Sequence, residues 1–257
     1  MAVKPIRTNR RLLSPLPSSE GKGAGLTAVG GRSSNNFIKA ISAIVWKDLR
    51  AEVRSFELVS AMLVFSLLVI LIFNFALELD IKTRQSVTAG VLWATFAFAG
   101  TLGLNRSMAI EKDRGCLDGL LLAPVDRSAI YFGKAISNLA FMLIVEAIVL
   151  PVYSILYNIN LFQPGLLMVI LLGSIGYSAV GTLLSAMSVQ TRTRDILLPI
   201  LLLPVVLPLI IAAVQASNTI LAGDDFNSIK HWLNTLIAYD VILTAVAFIL
   251  FDYILED

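Results

Sequence analysis

One cysteine, one histidine and little charge mark this sequence: Asp, Glu, Lys and Arg make up only 15% of 257 residues. Each shortage excludes something. The single cysteine, Cys116, rules out an intrachain disulfide and any multi-cysteine metal or Fe–S centre within the chain. The lone histidine, His231, lies in a polar stretch and reads as a solvated side chain rather than an iron ligand. No CxxCH run exists for covalent haem attachment. A phosphate-cradling loop is also missing: Gly21-Lys22 is followed by Gly23, and Leu16 stands where the first glycine is needed. If ATP drives this protein, another polypeptide hydrolyses it. A soluble surface needs about a quarter of residues charged. The 57% apolar content therefore implies an all-α polytopic membrane protein. The net charge of +2 gives no footprint for nucleic acid.

What is present falls into a clear order. Residues 1–36 are basic, rich in Ser, Gly and Pro, and without a sustained apolar run, which predicts disorder. Arg10-Arg11-Leu12-Leu13 is followed by SPLPSSEGKGAG rather than the apolar stretch of a twin-arginine signal. From 37 to 55, Phe37, Ile41, Ile44, Val45, Leu49 and Val53 share a helical face while Lys39, Lys47, Arg50 and Arg54 lie elsewhere. With Trp46 at headgroup level, this predicts an amphipathic helix in the membrane interface. Apolar runs then predict six spans, at about 58–77, 85–104, 135–157, 166–187, 196–214 and 233–251.

Small residues recur at four-residue spacing in the second span (Thr95, Ala99, Gly103) and the fourth (Ser174, Ser178, Thr182, Ala186). Such stripes let helices approach closely. The fifth span carries Pro199, Pro204 and Pro208, so a bent, protein-packed helix is expected. Ten Lys/Arg precede the first span, and seven more fall in the same-side loops, against Lys82, Arg84 and Lys230 on the other side. The positive-inside rule then places both termini in the cytoplasm.

The stretch 106–134 is the main charged interruption. Glu111–Arg114 and Arg114–Asp118 spacings support helical turns on either side of Gly115. Leu117, Leu120 and Leu121 share a face, Pro124 stops the run, and Asp126 is placed to cap the next helix. Such an element suits insertion into a groove on a soluble partner; a solvated loop explains the residues equally well. Glu146, inside LIVEAIVLP, marks either an intramembrane pathway, together with Pro204 and Pro208, or a helix-packing hydrogen bond to Asn74, a tyrosine or a freed carbonyl. Asp240 is expected near the interface. Taken as an acid/base pair, Glu146 and Asp240 keep a membrane-embedded enzyme in view.

Glu111, Gly115, Leu120-Leu121, Pro124 and Gly133-Lys134 resemble the cytoplasmic loop of type-2 ABC exporter permeases. With VWKDLRAEVRS at 45–55, AMLVFSLLVILIFNFAL at 61–77 and the Pro-rich run 196–209, residues 37–257 more narrowly resemble the CcmB family, haem-exporter permeases of cytochrome c maturation. The resemblance implies an inner-membrane permease, not an enzyme, coupled to a separate ABC ATPase through Glu111, Arg114, Gly115, Leu117, Leu120, Leu121 and Pro124. It implies haem as cargo, ATP on the partner and haem-handling membrane subunits alongside; a homodimer is compatible. A general lipid, polysaccharide or drug exporter is the alternative. The tryptophan-rich haem motif of the system's C subunit is missing here.

Overall fold

The computed structural model describes residues 30–76, 81–113, 115–116, 119, 125–189, 191, 193–224 and 226–254. Among them the chain forms seven helices and no strand. They are α1 (Gly30–Ser55), α2 (Glu57–Ala76), α3 (Ile81–Asp113), α4 (Arg127–Tyr157), α5 (Pro164–Ser188), α6 (Arg194–Ala222) and α7 (Phe226–Ile254). Six of these, α2 to α7, contain stretches long and apolar enough to cross a bilayer. The protein is an all-α, multi-pass membrane protein preceded by an amphipathic helix.

Several boundaries move. Helix α1 starts at Gly30 rather than near Phe37. The second span continues as helix past Leu104 to Asp113, and the third begins at Arg127 rather than Ala135. The expected outer loop, 215–231, is mostly helical: α6 runs to Ala222, Gly223 turns the chain at φ 76°, and His231 lies within α7. Hydropathy marks where lipid ends, but a helix continues into water until a residue such as glycine stops it.

Three joints are set locally. Phe56 alone separates α1 from α2, in the left-handed region at φ 50°. Its N–H donates to the Glu52 carbonyl, while Glu52 Oε1 accepts from the amides of Leu58 and Val59 at 2.9 and 2.8 Å. One carboxylate thus caps the start of α2. Helix α4 ends on Asn158, also left-handed, and Pro164 opens α5 at a first-turn position where no amide donor is required. Asp126 occupies the N-cap position of α4, but its side chain makes no capping bond.

Helix α5 is the axis, packed against α3, α4, α6 and α7. Its stripe Ser174, Ser178, Thr182 and Ala186 is buried, as is Thr95–Ala99 on α3, and Gly103 lies against Met62. Gly173 makes room for the Trp93 ring, whose Nε1–H donates to Ser217 Oγ at 3.0 Å. Asn138 donates to Thr182 Oγ1 at 2.9 Å, and the Tyr131 hydroxyl to the Ala179 carbonyl at 3.0 Å. In a membrane such close approach and interhelical hydrogen bonding replace the hydrophobic drive that water supplies. On α6, Leu198, Leu202, Val206 and Leu209 face the core, but Pro204 is exposed and Pro208 only half-buried. The expectation of a wholly protein-packed Pro-rich helix therefore holds for one face only.

Candidate functional site

The site grows from the end of α3 that extends beyond the expected span. On α1 the apolar face carries one intruder: Asp48 follows Ile41, Ile44 and Val45 at helical spacing and is buried with Ile44. On α4, Gly133 lets the Ile44 side chain approach the backbone, and this contact brings Asp48 to its neighbour Lys134. The Lys134 ammonium is only 2% exposed; it meets Asp48 Oδ2 at 2.7 Å and Glu111 Oε1 at 2.5 Å. Lys47 adds a second cation, 2.7 Å from Glu111 Oε1 and 3.2 Å from Asp48 Oδ1.

Two carboxylates and two ammonium groups thus alternate where α1, α3 and α4 meet. Burying one of these charges alone would cost several kcal/mol, and each has an opposite neighbour. Lys47 lies outside the spans. Partial burial draws its ammonium down, but the Glu111 hydrogen bond and the charges of Glu111 and Asp48 outweigh that and raise it above the ordinary lysine value. A cavity of about 220 Å³ adjoins the cluster, lined by Lys47, Asp48, Glu111, Cys116, Lys134 and Phe141 among others.

The rest of the α3 end is tied in three further directions. Arg106 Nη2 donates to Glu57 Oε1 of α2 at 2.6 Å. Lys112 donates to the Val189 carbonyl at 2.8 Å, and Asp113 accepts two bonds from Arg194 at 3.1 Å each. Asn105 reaches Asp195 of α6 at 3.0 Å. Gly115, at φ 67°, then ends the helix, its N–H bonded to the Lys112 carbonyl.

Glu111 pairs across helices with Lys134 and Lys47. It points inward and joins three helices, with the buried ammonium of Lys134 and the half-exposed ammonium of Lys47 as its partners. Arg114, Leu117, Leu120, Leu121 and Pro124 lie outside the described residues, so the expected apolar face is not described. Gly115, Cys116 and Gly119 are exposed.

The intramembrane candidates are arranged differently. Glu146 is 3% exposed; Ser174 Oγ donates to its Oε1 at 2.6 Å, and Oε2 has no hydrogen-bond partner among the described residues. The partner is α5 and not Asn74, which donates to the Leu156 carbonyl at 3.4 Å. Asp240 lies near the middle of the apolar stretch Ser228–Phe251 of α7 rather than near its end, and it is buried against Gly176 with neither oxygen bonded among the described residues. Glu146 faces Ser174 and Asp240 faces Gly176, two positions that lie on nearly opposite sides of α5. No cluster of three metal-ligating side chains occurs among the described residues.

The profile of the CcmB protein family matches residues 39–251. Heme exporter protein B of Rhodobacter capsulatus is 28% identical over 172 residues, covering 66% of this chain and 78% of that protein. The protein of the same name from Paracoccus denitrificans is 27% identical over 186 residues, covering 72% and 85%. That from Pseudomonas aeruginosa is 25% identical over 186 residues, covering 72% and 83%.

Proposed function

The chain belongs to the CcmB protein family, and from that membership we propose that it is the transmembrane permease subunit of a haem exporter serving cytochrome c maturation. In this reading haem is the cargo and ATP is hydrolysed by a separate subunit. Haem-handling membrane proteins assemble alongside, in the bacterial cytoplasmic membrane with both termini in the cytoplasm.

One observation supports coupling through the loop after α3. The α3 end is fixed to α1 and α4 by the four-charge cluster, to α2 by Arg106, and to the α5–α6 corner by Lys112 and Asp113. A displacement applied at Gly115 is then transmitted to five helices at once instead of bending a loose loop. Glu111 acts inside the bundle, holding the lever's root. The leucines beyond Gly115 are assigned the outer contact with the ATPase.

The experiment places a charge on that contact. Leu120→Asp or Leu121→Asp desolvates an unpaired carboxylate on docking, at about 1–3 kcal/mol or more. ATPase co-purification and cytochrome c maturation are expected to fall while the membrane part still inserts. Full ATPase binding and normal cytochrome c in both variants would leave a plain solvated loop. Orientation has its own test: native Cys116 should react only from the cytoplasm, and Asp224→Cys in a Cys116→Ser background only from outside.

A further inference from the structure

We propose that the groove between α2 and α3 is a binding site for a zwitterionic phospholipid, with the phosphate on Arg106 and the headgroup ammonium on Glu57. The groove is about 600 Å³ and shares no lining residue with the cavity beside the charge cluster. Its walls are apolar: Val64, Leu68 and Leu102 line it and are 58%, 53% and 36% exposed. Its end nearest α1 is polar, with Glu57 and Arg106 paired at 2.6 Å and their side chains 40% and 41% exposed.

Three features point to that occupant. The first is length. Leu68 lies eleven residues beyond Glu57 on α2. At about 1.5 Å per residue this is roughly 16 Å, close to half of a ~30 Å hydrocarbon core. The groove therefore spans one leaflet, from headgroup level to the midplane.

The second is charge. An isolated arginine would select an anionic head, but Arg106 stands beside a carboxylate. A neutral pair of opposite charges complements a head that is itself a pair: phosphate oxygens accept from the guanidinium, and a primary ammonium donates to the carboxylate.

The third is the backbone. Phe56 lines the groove at φ 50°, a conformation strained for a bulky residue. That turn starts α2 at Glu57 and so places the carboxylate beside Arg106. Strain retained at the polar rim indicates that the position of this rim matters.

The test uses the full chain in nanodiscs of equal phosphatidylethanolamine and phosphatidylglycerol. After extraction into mild detergent, native mass spectrometry reads the retained lipid. Wild type should retain phosphatidylethanolamine above its bulk share. Arg106→Gln or Glu57→Gln should lower that retention by roughly three- to tenfold, the worth of one or two exposed charge contacts. Leu68→Trp, on a lipid-facing position where folding tolerates bulk, should remove bound lipid of both kinds. The site is overturned if wild-type retention follows the bulk ratio, which is annular lipid only, or if phosphatidylglycerol is preferred. It is equally overturned if the variants leave lipid unchanged and alter the oligomeric state, since a second copy would then cover the groove.

Discussion

The end of α3 and the middle of the bundle both bury acids, and they treat them in opposite ways. At the α3 end, Asp48 and Glu111 are held between two ammonium groups contributed by α1 and α4. In the middle, Glu146 has one serine donor and Asp240 has no hydrogen bond among the described residues. The difference teaches what each charge does for the fold. Paired charges near the interface specify which helices meet, because no mismatched neighbour neutralises them. Among the described residues the intramembrane acids have no counter-charge: Glu146 joins α4 to α5 through one serine hydroxyl, and Asp240 is buried without a hydrogen bond, an arrangement that is costly inside a membrane.

The largest expected effect comes from breaking the paired side of this contrast. Lys134→Met removes the buried counter-charge and leaves two buried carboxylates with only the half-exposed Lys47 between them, which should cost about 3–5 kcal/mol. A large drop in the thermal midpoint of the purified protein would register it. Replacing the whole buried set (Asp48→Leu, Glu111→Leu, Lys134→Met) should restore most of that stability without restoring cytochrome c maturation. If the triple variant stayed as unstable as Lys134→Met, the cluster would owe its role to packing rather than charge.

Next in size is Gly176→Ala, whose β-carbon would collide with the Asp240 carboxylate. Overpacking of this kind costs about 1–3 kcal/mol. Adding Asp240→Ala should relieve it, and persistence of the defect would show that Leu209 is the true obstacle.

Asp240→Leu alone sharpens the comparison by its sign. Removing a buried, unbonded acid should leave stability unchanged or raise it by about 1–2 kcal/mol, whereas Asp48→Leu lowers it. Equal losses from both substitutions would erase the distinction between the two regions.

The smallest effect belongs to Lys47→Met. Lys47 is 45% exposed, so solvent screening limits its pair to about 1 kcal/mol or less. Its folded-state value is raised, so its contribution is complete below the ordinary lysine range and is lost only as pH climbs through the raised value. The wild-type-minus-variant difference in midpoint should therefore be flat from about pH 6 to about pH 9 and shrink above. A difference that vanished near neutrality would contradict that assignment.

Spans and faces were legible because lipid imposes them: long apolar runs must be helices, and small residues at four-residue spacing must meet a neighbour. The stripes at Thr95–Ala99 and Ser174–Ala186 were read correctly for that reason. The charge cluster was not read, since Asp48 and Lys134 are 86 residues apart and hydropathy carries no pairing information. A signal existed nonetheless. Asp48 falls on the apolar face of α1 beside Ile44 and Leu49, where a solvated residue would not be placed. Asp240 was misjudged for a different reason. A span drawn from Leu233 put it toward the outer end, but the apolar stretch of α7 starts at Ser228, which sets Asp240 near the middle.

The join of α1 to α4 also bears on how the protein is made. Helix α1 is translated early, yet the groove for Ile44 and the partner for Asp48 belong to Gly133 and Lys134. Until the ribosome has passed that point, α1 has no docking site and Asp48 no buried counter-charge. Two spans must already be inserted by then. The N-terminal helix should therefore remain protease-sensitive in nascent chains that stop before α4 and become protected once α4 is in the membrane, so that docking of α1 reports completed insertion of the first three spans.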